Sequence, residues 1–249
     1  MTVRTERHDH VLVVQIDRAE KRNAIDDETA AGLDEAFNEL DDDPDLWVGI
    51  LTGTAEVFSA GTDLRNGGSP RTERGGEYGL IRRKRTTPVV AAVEGFALGG
   101  GFELALACDL VVASRTATFG LPETRRGVVA SSGALLRAAR DLPPKIAREL
   151  LISGATLTGE RAHQLGLVNR VVEPGEALDA ARTLADEICL SSPFAVRQTL
   201  AALDTQLADG DAAGWAATAG AVDAVLASDD MAEGVSAFFE KRTPRWTGR

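Results

Sequence analysis

Residues 88–94, PVVAAVE, are apolar at consecutive positions rather than alternate ones, so a strand formed there must be covered on both faces. VLVVQID (11–17) and WVGILTG (47–53) are similar β-rich runs ending in turn residues. Helical patterns lie between them. Asp26 to Leu40 places Ala30, Leu33, Phe37 and Leu40 at helical spacing, with acidic residues early in the segment, and Asp41-Asp42-Asp43-Pro44 terminates it. A helix is expected from about Gly101, then a strand at DLVVA (109–113) and extended chain at Thr118-Phe119. Strands alternating with helices predict an α/β core.

After about residue 130 the chain turns helical. Ala177, Ala181, Leu184 and Ile188 make one apolar face, and Ala195, Thr199, Ala202 and Gln206 a weaker one. Met231, Val235, Phe238 and Phe239 form a stripe on the last helix, suited to packing on its own core or on a neighbouring subunit. The segment 66–79, NGGSPRTERGGEYG, is rich in glycine and charge with no periodicity. It reads as a mobile surface loop, either a site lid or plain disorder.

A net charge of −11 argues against nucleic acid as a partner, since no basic face neutralises phosphates. Arg82-Arg83-Lys84-Arg85 is a local exception, either a solvated helix end or an anion site. Cys108 and Cys189, without a CxxC spacing, read as buried thiols of a reducing compartment. No stretch approaches 18 apolar residues, and the N-terminal run is too short for a signal segment. These features predict a cytoplasmic protein that does not enter a membrane. His8, His10 and His163 show no metal-ligand spacing, so no metal is expected.

The chemistry-bearing residues gather at two turns. Gly99-Gly100-Gly101 follows a strand and opens a helix, which leaves free N–H groups and a positive dipole end. A second turn, FSAGTDL (58–64), follows the strand at 47–53. A thioester carbonyl held between one N–H from each turn would have its developing oxyanion stabilised. Glu103 and Glu123 lie beside these turns and could move protons in enolate chemistry. Taken singly, either glutamate also serves as a favourable charge in the first turn of a helix.

These residues resemble the crotonase, or enoyl-CoA hydratase/isomerase, superfamily. FSAGTDL and EGFALGGGFELALACDL (94–110) are similar to its two oxyanion segments, and FGLPETRRG (119–127) to its third active-site segment. DRAEKRNAID (17–26) resembles its coenzyme A loop, with Ala19 in place of proline. The resemblance implies a spiral of ββα units over residues 1–190 and a helical trimerisation region over 191–249. It implies catalytic roles for Glu103 and Glu123, with Ala60 N–H and Gly100 N–H as the oxyanion hole. Glu103 would orient and deprotonate water while Glu123 delivers a proton to Cα. Arg22, Ala24 and the run Ala60, Gly61, Thr62, Asp63 and Leu64 would line the coenzyme A path. Ser131 would flank the acyl pocket, and Phe238 and Lys241 would reach the coenzyme of an adjacent subunit in a trimer or dimer of trimers. Coenzyme A arrives as part of the substrate, and no permanently bound cofactor is implied.

One segment departs from the family pattern. GVVASSGALLR (127–137) stands where hydratases carry GIIPGAGGTQR, so Ala130 replaces proline and Ser131 replaces glycine. GALLRAARDLPPKIARELLISG and the ending EKRTPRWTGR are more similar to the carnitinyl-CoA dehydratase branch. The implied activity is hydration of a 2-enoyl-CoA or the reverse dehydration. A carnitinyl-CoA-type dehydratase, a double-bond isomerase relying on Glu123, and a non-catalytic acyl-CoA binder stay open as alternatives.

Overall fold

In the structure, a computed structural model that describes residues 2–66 and 68–247, the consecutive apolar runs become strands covered on both sides. β1 (Val3–His8) and β2 (Val11–Ile16) form a hairpin, and β2 is followed by helix α1 (Asp27–Asp42). Asp26 caps α1 by accepting the Thr29 N–H at 2.9 Å. β3 (Val48–Thr52), β4 (Val57–Ser59), β5 (Arg71–Thr72), β6 (Gly76–Glu77), β7 (Val89–Val93) and β8 (Phe96–Leu98) lead into α2 (Gly100–Ala107). β9 (Leu110–Ser114) and β10 (Thr118–Gly120) follow, then α3 (Ala134–Asp141), α4 (Pro144–Ser153), β11 (Thr156–Thr158), α5 (Gly159–Gln164), β12 (Arg170–Val172) and α6 (Ala177–Cys189). The chain ends in α7 (Pro193–Leu226) and α8 (Asp229–Glu240).

Two main sheets form, beside the two-stranded pair β5-β6. The larger has the order β1-β2-β3-β7-β9-β12, parallel after the β1–β2 hairpin, and the smaller β11-β10-β8-β4. Each of β3, β7 and β9 lies in the larger sheet and hands the chain to β4, β8 or β10 in the smaller, a repeat that winds as a spiral. Period-2 alternation explains the double coverage. Leu12, Val14 and Ile16 face the main core with α1 and α2, whereas Val11 and Val13 face a second core closed by Ala181 and Ala185 of α6. Leu184 and Ile188 pack at the edge of that second core.

Several expectations change. The segment 66–79 is not simply a surface loop: β5 pairs with β6, and Gly75 through Gly79 are buried. The basic run at 82–85 is neither a helix end nor an anion site, because its arginines are engaged. Arg83 is buried and pairs with Asp34 and Asp41, and Arg85 pairs with Asp109. Arg82 holds Glu77 at 3.0 Å and stacks on Trp215 of α7 at 3.5 Å. On α7, the weak stripe Ala195, Thr199, Ala202 and Gln206 is exposed. On α8, Gly234 and Ala237 are buried while Val235, Phe238 and Phe239 are exposed. Close approach is the reason: a Cβ on Gly234 would meet the Arg126 carbonyl, so only small residues fit this face. Among the described residues no helix is long and apolar enough to cross a membrane.

Candidate active site

The two glycine-containing turns meet back to back. Gly61 has φ +88°, and a Cβ built on it would lie 2.7 Å from the Gly100 N, so glycine is required there. Ile25 N–H donates to Gly61 O and Asp63 N–H to Ile25 O, forming a short parallel bridge around Thr62. That register turns the N–H of Thr62 away from residue 25. Neither it nor the N–H of Gly100 has an acceptor among the described residues. Ala60 N–H, by contrast, donates to Arg22 O at 3.0 Å. Beside Gly100 it is thus the Thr62 amide, and not that of Ala60, that stands without an acceptor among the described residues. Sequence spacing cannot choose between amides two apart, because the pairing partners, the carbonyls of Arg22 and Ile25, lie far off in the chain.

Both glutamates meet Gly99, Glu103 through its main chain and Glu123 through its carboxylate. Glu103 sits in the first turn of α2, with its N–H donating to Gly99 O at 3.0 Å. Its buried carboxylate oxygen Oε1 accepts the N–H groups of Ser132 (2.7 Å) and Ala134 (3.1 Å). Glu123 opens a 3-10 turn, Glu123–Arg126, after Pro122. A Cβ on Gly99 would lie 3.0 Å from Glu123 Oε1, while Oε2 is buried without a partner. Burial first, and then the neighbouring Glu123 charge, push the Glu103 carboxyl well above the usual carboxylate range. Burial likewise raises Glu123. Two raised carboxyls so close titrate as a coupled pair rather than one by one. The two amide donors offset part of the burial at Glu103, whereas Glu123 Oε2 has no partner among the described residues.

Sequence reading missed Tyr78. It is buried, and a Cβ on Gly100 would collide with its hydroxyl. Tyr78 Oη lies 2.7 Å from Thr62 Oγ1 and 2.9 Å from Ser69 Oγ, and Ser132 Oγ donates to Ser69 Oγ at 3.1 Å. Ser131 is half-buried beside this group. No local pattern marks Tyr78, since its partners are distant in sequence. The only hint is an isolated tyrosine within a glycine-rich stretch.

The loop 17–26 is held rigidly. Arg22 and Asn23 both have positive φ, +55° and +54°, a strained pairing. Buried Asn23 stabilises it, accepting from Arg18 N and donating to Val57 O and Phe58 O. Arg18 bridges Asp26 and Asp63 at 2.8 and 3.0 Å and donates to Ala24 O. The Asp63 carboxylate is thus engaged within the loop rather than offered to a ligand, whereas Arg22 and Leu64 are exposed. Phe238 on α8 and Lys241 at its C-cap are exposed. α8 packs on the Glu123–Arg126 turn, and Arg126 lies over the Phe238 ring at 5.4 Å. Cys108, its thiol pushed up to about 12 by burial, and Cys189 are unpaired thiols.

An α/β spiral with two acceptor-free amides flanked by paired carboxyls defines an acyl-thioester enzyme scaffold. The sequence matches the family described as enoyl-CoA hydratase/isomerase over residues 6–249, and the chain belongs to that family. It is 42% identical to a carnitinyl-CoA dehydratase of Salmonella arizonae, covering 99% of this chain and 98% of the relative. It is 40% identical to mevalonyl-coenzyme A hydratase of Aspergillus fumigatus, covering 95% and 91%. Among solved structures, a carnitinyl-CoA dehydratase from Mycobacterium avium superposes with a TM-score of 0.92 at 40% identity, covering 100% of this chain and 99% of the other.

Proposed function

We propose that the protein is a hydro-lyase that adds water across the 2,3 double bond of a 2-enoyl-CoA thioester, or runs the reverse dehydration. The observation carrying this reading is the placement of the Glu123 carboxylate against Gly99 and of Glu103 in the first turn of α2, beside the acceptor-free amides of Thr62 and Gly100. Those amides polarise the thioester carbonyl, which makes Cβ electrophilic and draws charge onto oxygen as water adds. In other enzymes, losing one such donor costs about 3–4 kcal/mol of transition-state stabilisation. Glu103, its geometry fixed through Oε1, takes the proton of the attacking water, and Glu123 delivers one to Cα. Relatives named as a dehydratase and a hydratase support water chemistry over double-bond migration. Loss of the enoyl-thioester ultraviolet band on adding enzyme to crotonyl-CoA tests the reading. Glu103→Gln and Glu123→Gln should each lower kcat by at least about a hundredfold. Near-wild-type kcat in both would overturn it.

The coenzyme is assigned to the exposed Arg22, the backbone of Ala24 and the Gly61–Leu64 turn, with Arg22 meeting a phosphate. Phe194, Phe238 and Phe239 are 71%, 45% and 60% exposed in the single chain, and burying such area is worth about 25 cal/mol per Å². This supports a homo-oligomer, a trimer or dimer of trimers, assembled through residues 191–249 on a 1–190 core, in which Lys241 approaches a neighbour's coenzyme. A light-scattering mass of a single chain in a fully active preparation would overturn the assembly. Unpaired cysteines agree with a cytoplasmic setting.

A further inference from the structure

Arg137 on α3 holds a charge with no ion-pair partner among the described residues. The arginines near it are all paired: Arg82 with Glu77, Arg83 with Asp34 and Asp41, Arg85 with Asp109 and Arg140 with Asp211. Arg137 Nη2 donates to the Ile81 carbonyl at 2.7 Å, and Nη1 is buried without a hydrogen-bond partner. Buried charges are ordinarily paired, so this one needs a reason. Its place beside Gly133 supplies one. Nη1 fills the space where a Cβ on Gly133 would stand, and the Arg137 N–H donates to Gly133 O at 2.9 Å. Gly133 separates Ser132 from Ala134, whose amides hold Glu103 Oε1. Cation and carboxylate therefore grip the same three residues, Glu103 through the amides flanking Gly133 and Arg137 against Gly133 itself.

We propose that Arg137 is a positioning residue whose unpaired guanidinium keeps the Glu103 carboxylate ionised, as a base must be; the inference rests on the hydratase reading. Three elements bring charged or titratable groups to Glu103: the Glu123–Arg126 turn brings Glu123, the segment after β6 brings Tyr78, and α3 brings Arg137. Burial and the Glu123 charge oppose ionisation, while the two amides and the Arg137 charge favour it. Around Arg137 itself, Arg140 of its own helix and Arg85 repel its charge, and Asp211 of α7 and Glu103 attract it. Asp211 is already held by Arg140 at 3.2 Å. Burial lowers Arg137 from the ordinary arginine value, yet a guanidinium stays charged throughout the pH range of a folded protein.

The experiment follows kcat/KM for crotonyl-CoA against pH in wild type, Arg137→Gln and Arg137→Lys. The acid limb of that profile reports ionisation of the free enzyme's base. Without the cation, Glu103 keeps its proton to higher pH, so the limb moves up. A contacting opposite charge lowers a carboxyl by about 1–3 units; with Gly133 between the two groups, about half a unit or more is expected, which is roughly threefold in kcat/KM on the acid side. Arg137→Lys keeps the charge and loses the Ile81 bond, so its limb should stay near that of wild type. Arg137→Met, which fills the space without burying a polar group, takes the place of Arg137→Gln if that variant does not fold. Carbon NMR of protein labelled with 13C-glutamate, with Glu103 assigned through Glu103→Gln, reads the same shift without turnover. An unchanged limb and titration in Arg137→Gln, or an equal shift in Arg137→Lys, overturns the inference while the hydratase reading stands. If wild type leaves crotonyl-CoA unconsumed but the Glu103 titration still rises in Arg137→Gln, the hydratase reading falls and the charge effect stands.

Discussion

Glu123 and Gly99 occupy one small space: the glutamate Oε1 lies 3.0 Å from where a Cβ on residue 99 would stand. Gly99 has φ +55° and ψ −125°, a backbone conformation that side chains resist at about 1–3 kcal/mol. Gly99→Ala should therefore displace Glu123 and tilt the Gly100 amide together. The expected outcome is a fall in kcat of at least about tenfold, as removing a positioned acid would give. Retained kcat in a folded variant would show that Glu123 does not work from this position.

Burial holds both site carboxyls above the ordinary value of 4.5. The unfolded chain then releases these protons first, so stability attributable to the pair falls as pH rises above the usual carboxylate range. Urea midpoints of wild type and Glu123→Gln, compared from pH 5 to pH 8, should diverge in favour of the variant as pH increases. Parallel midpoints would mean the pair is not raised.

Arg83 is buried against Asp34 and Asp41, and its Nη1 also reaches Asn38 Oδ1 at 2.8 Å. Removing one partner leaves buried carboxylates uncompensated, at about 3–5 kcal/mol. Arg83→Ala should lose that much in chemical unfolding, with Asp34→Asn and Asp41→Asn partly reversing the loss.

The α8 helix depends on glycine at two facing positions. A Cβ on Gly127 would lie 2.5 Å from Asp230 O, and one on Gly234 would strike Arg126 O. Gly234→Ala should destabilise the docked helix by about 1–3 kcal/mol through overpacking, read as increased amide exchange over 229–240. Unchanged exchange would mean α8 is not held at this contact.

The fold was legible wherever one period dominated. Alternation of double-faced strands with the Ala30–Leu33–Phe37–Leu40 stripe gave the α/β core, and the glycine run gave the α2 turn. What escaped depends on partners far apart in the chain. The 71–77 hairpin is ordered by Glu77 pairing with Arg71 and Arg82, and Tyr78 by Thr62 and Ser69. The α8 stripe misled because burial there follows smallness rather than hydrophobicity. Glu103 and Glu123 were legible as candidates, whereas the pairing of Ala60 N–H with Arg22 O was not, because Ala60 and Thr62 both lie beside Gly61.

The hydrogen bonds that hold the Glu103 carboxylate come from the main chain of Ser132 and Ala134. Amides are the same whatever residue carries them, so mutation can exchange the side chains at 131, 132 and 134 while the clamp stays in place. The clamp on Glu103 is thus separate from the side chains that this segment presents. The departure at Ala130-Ser131-Ser132 is the kind of change this arrangement tolerates.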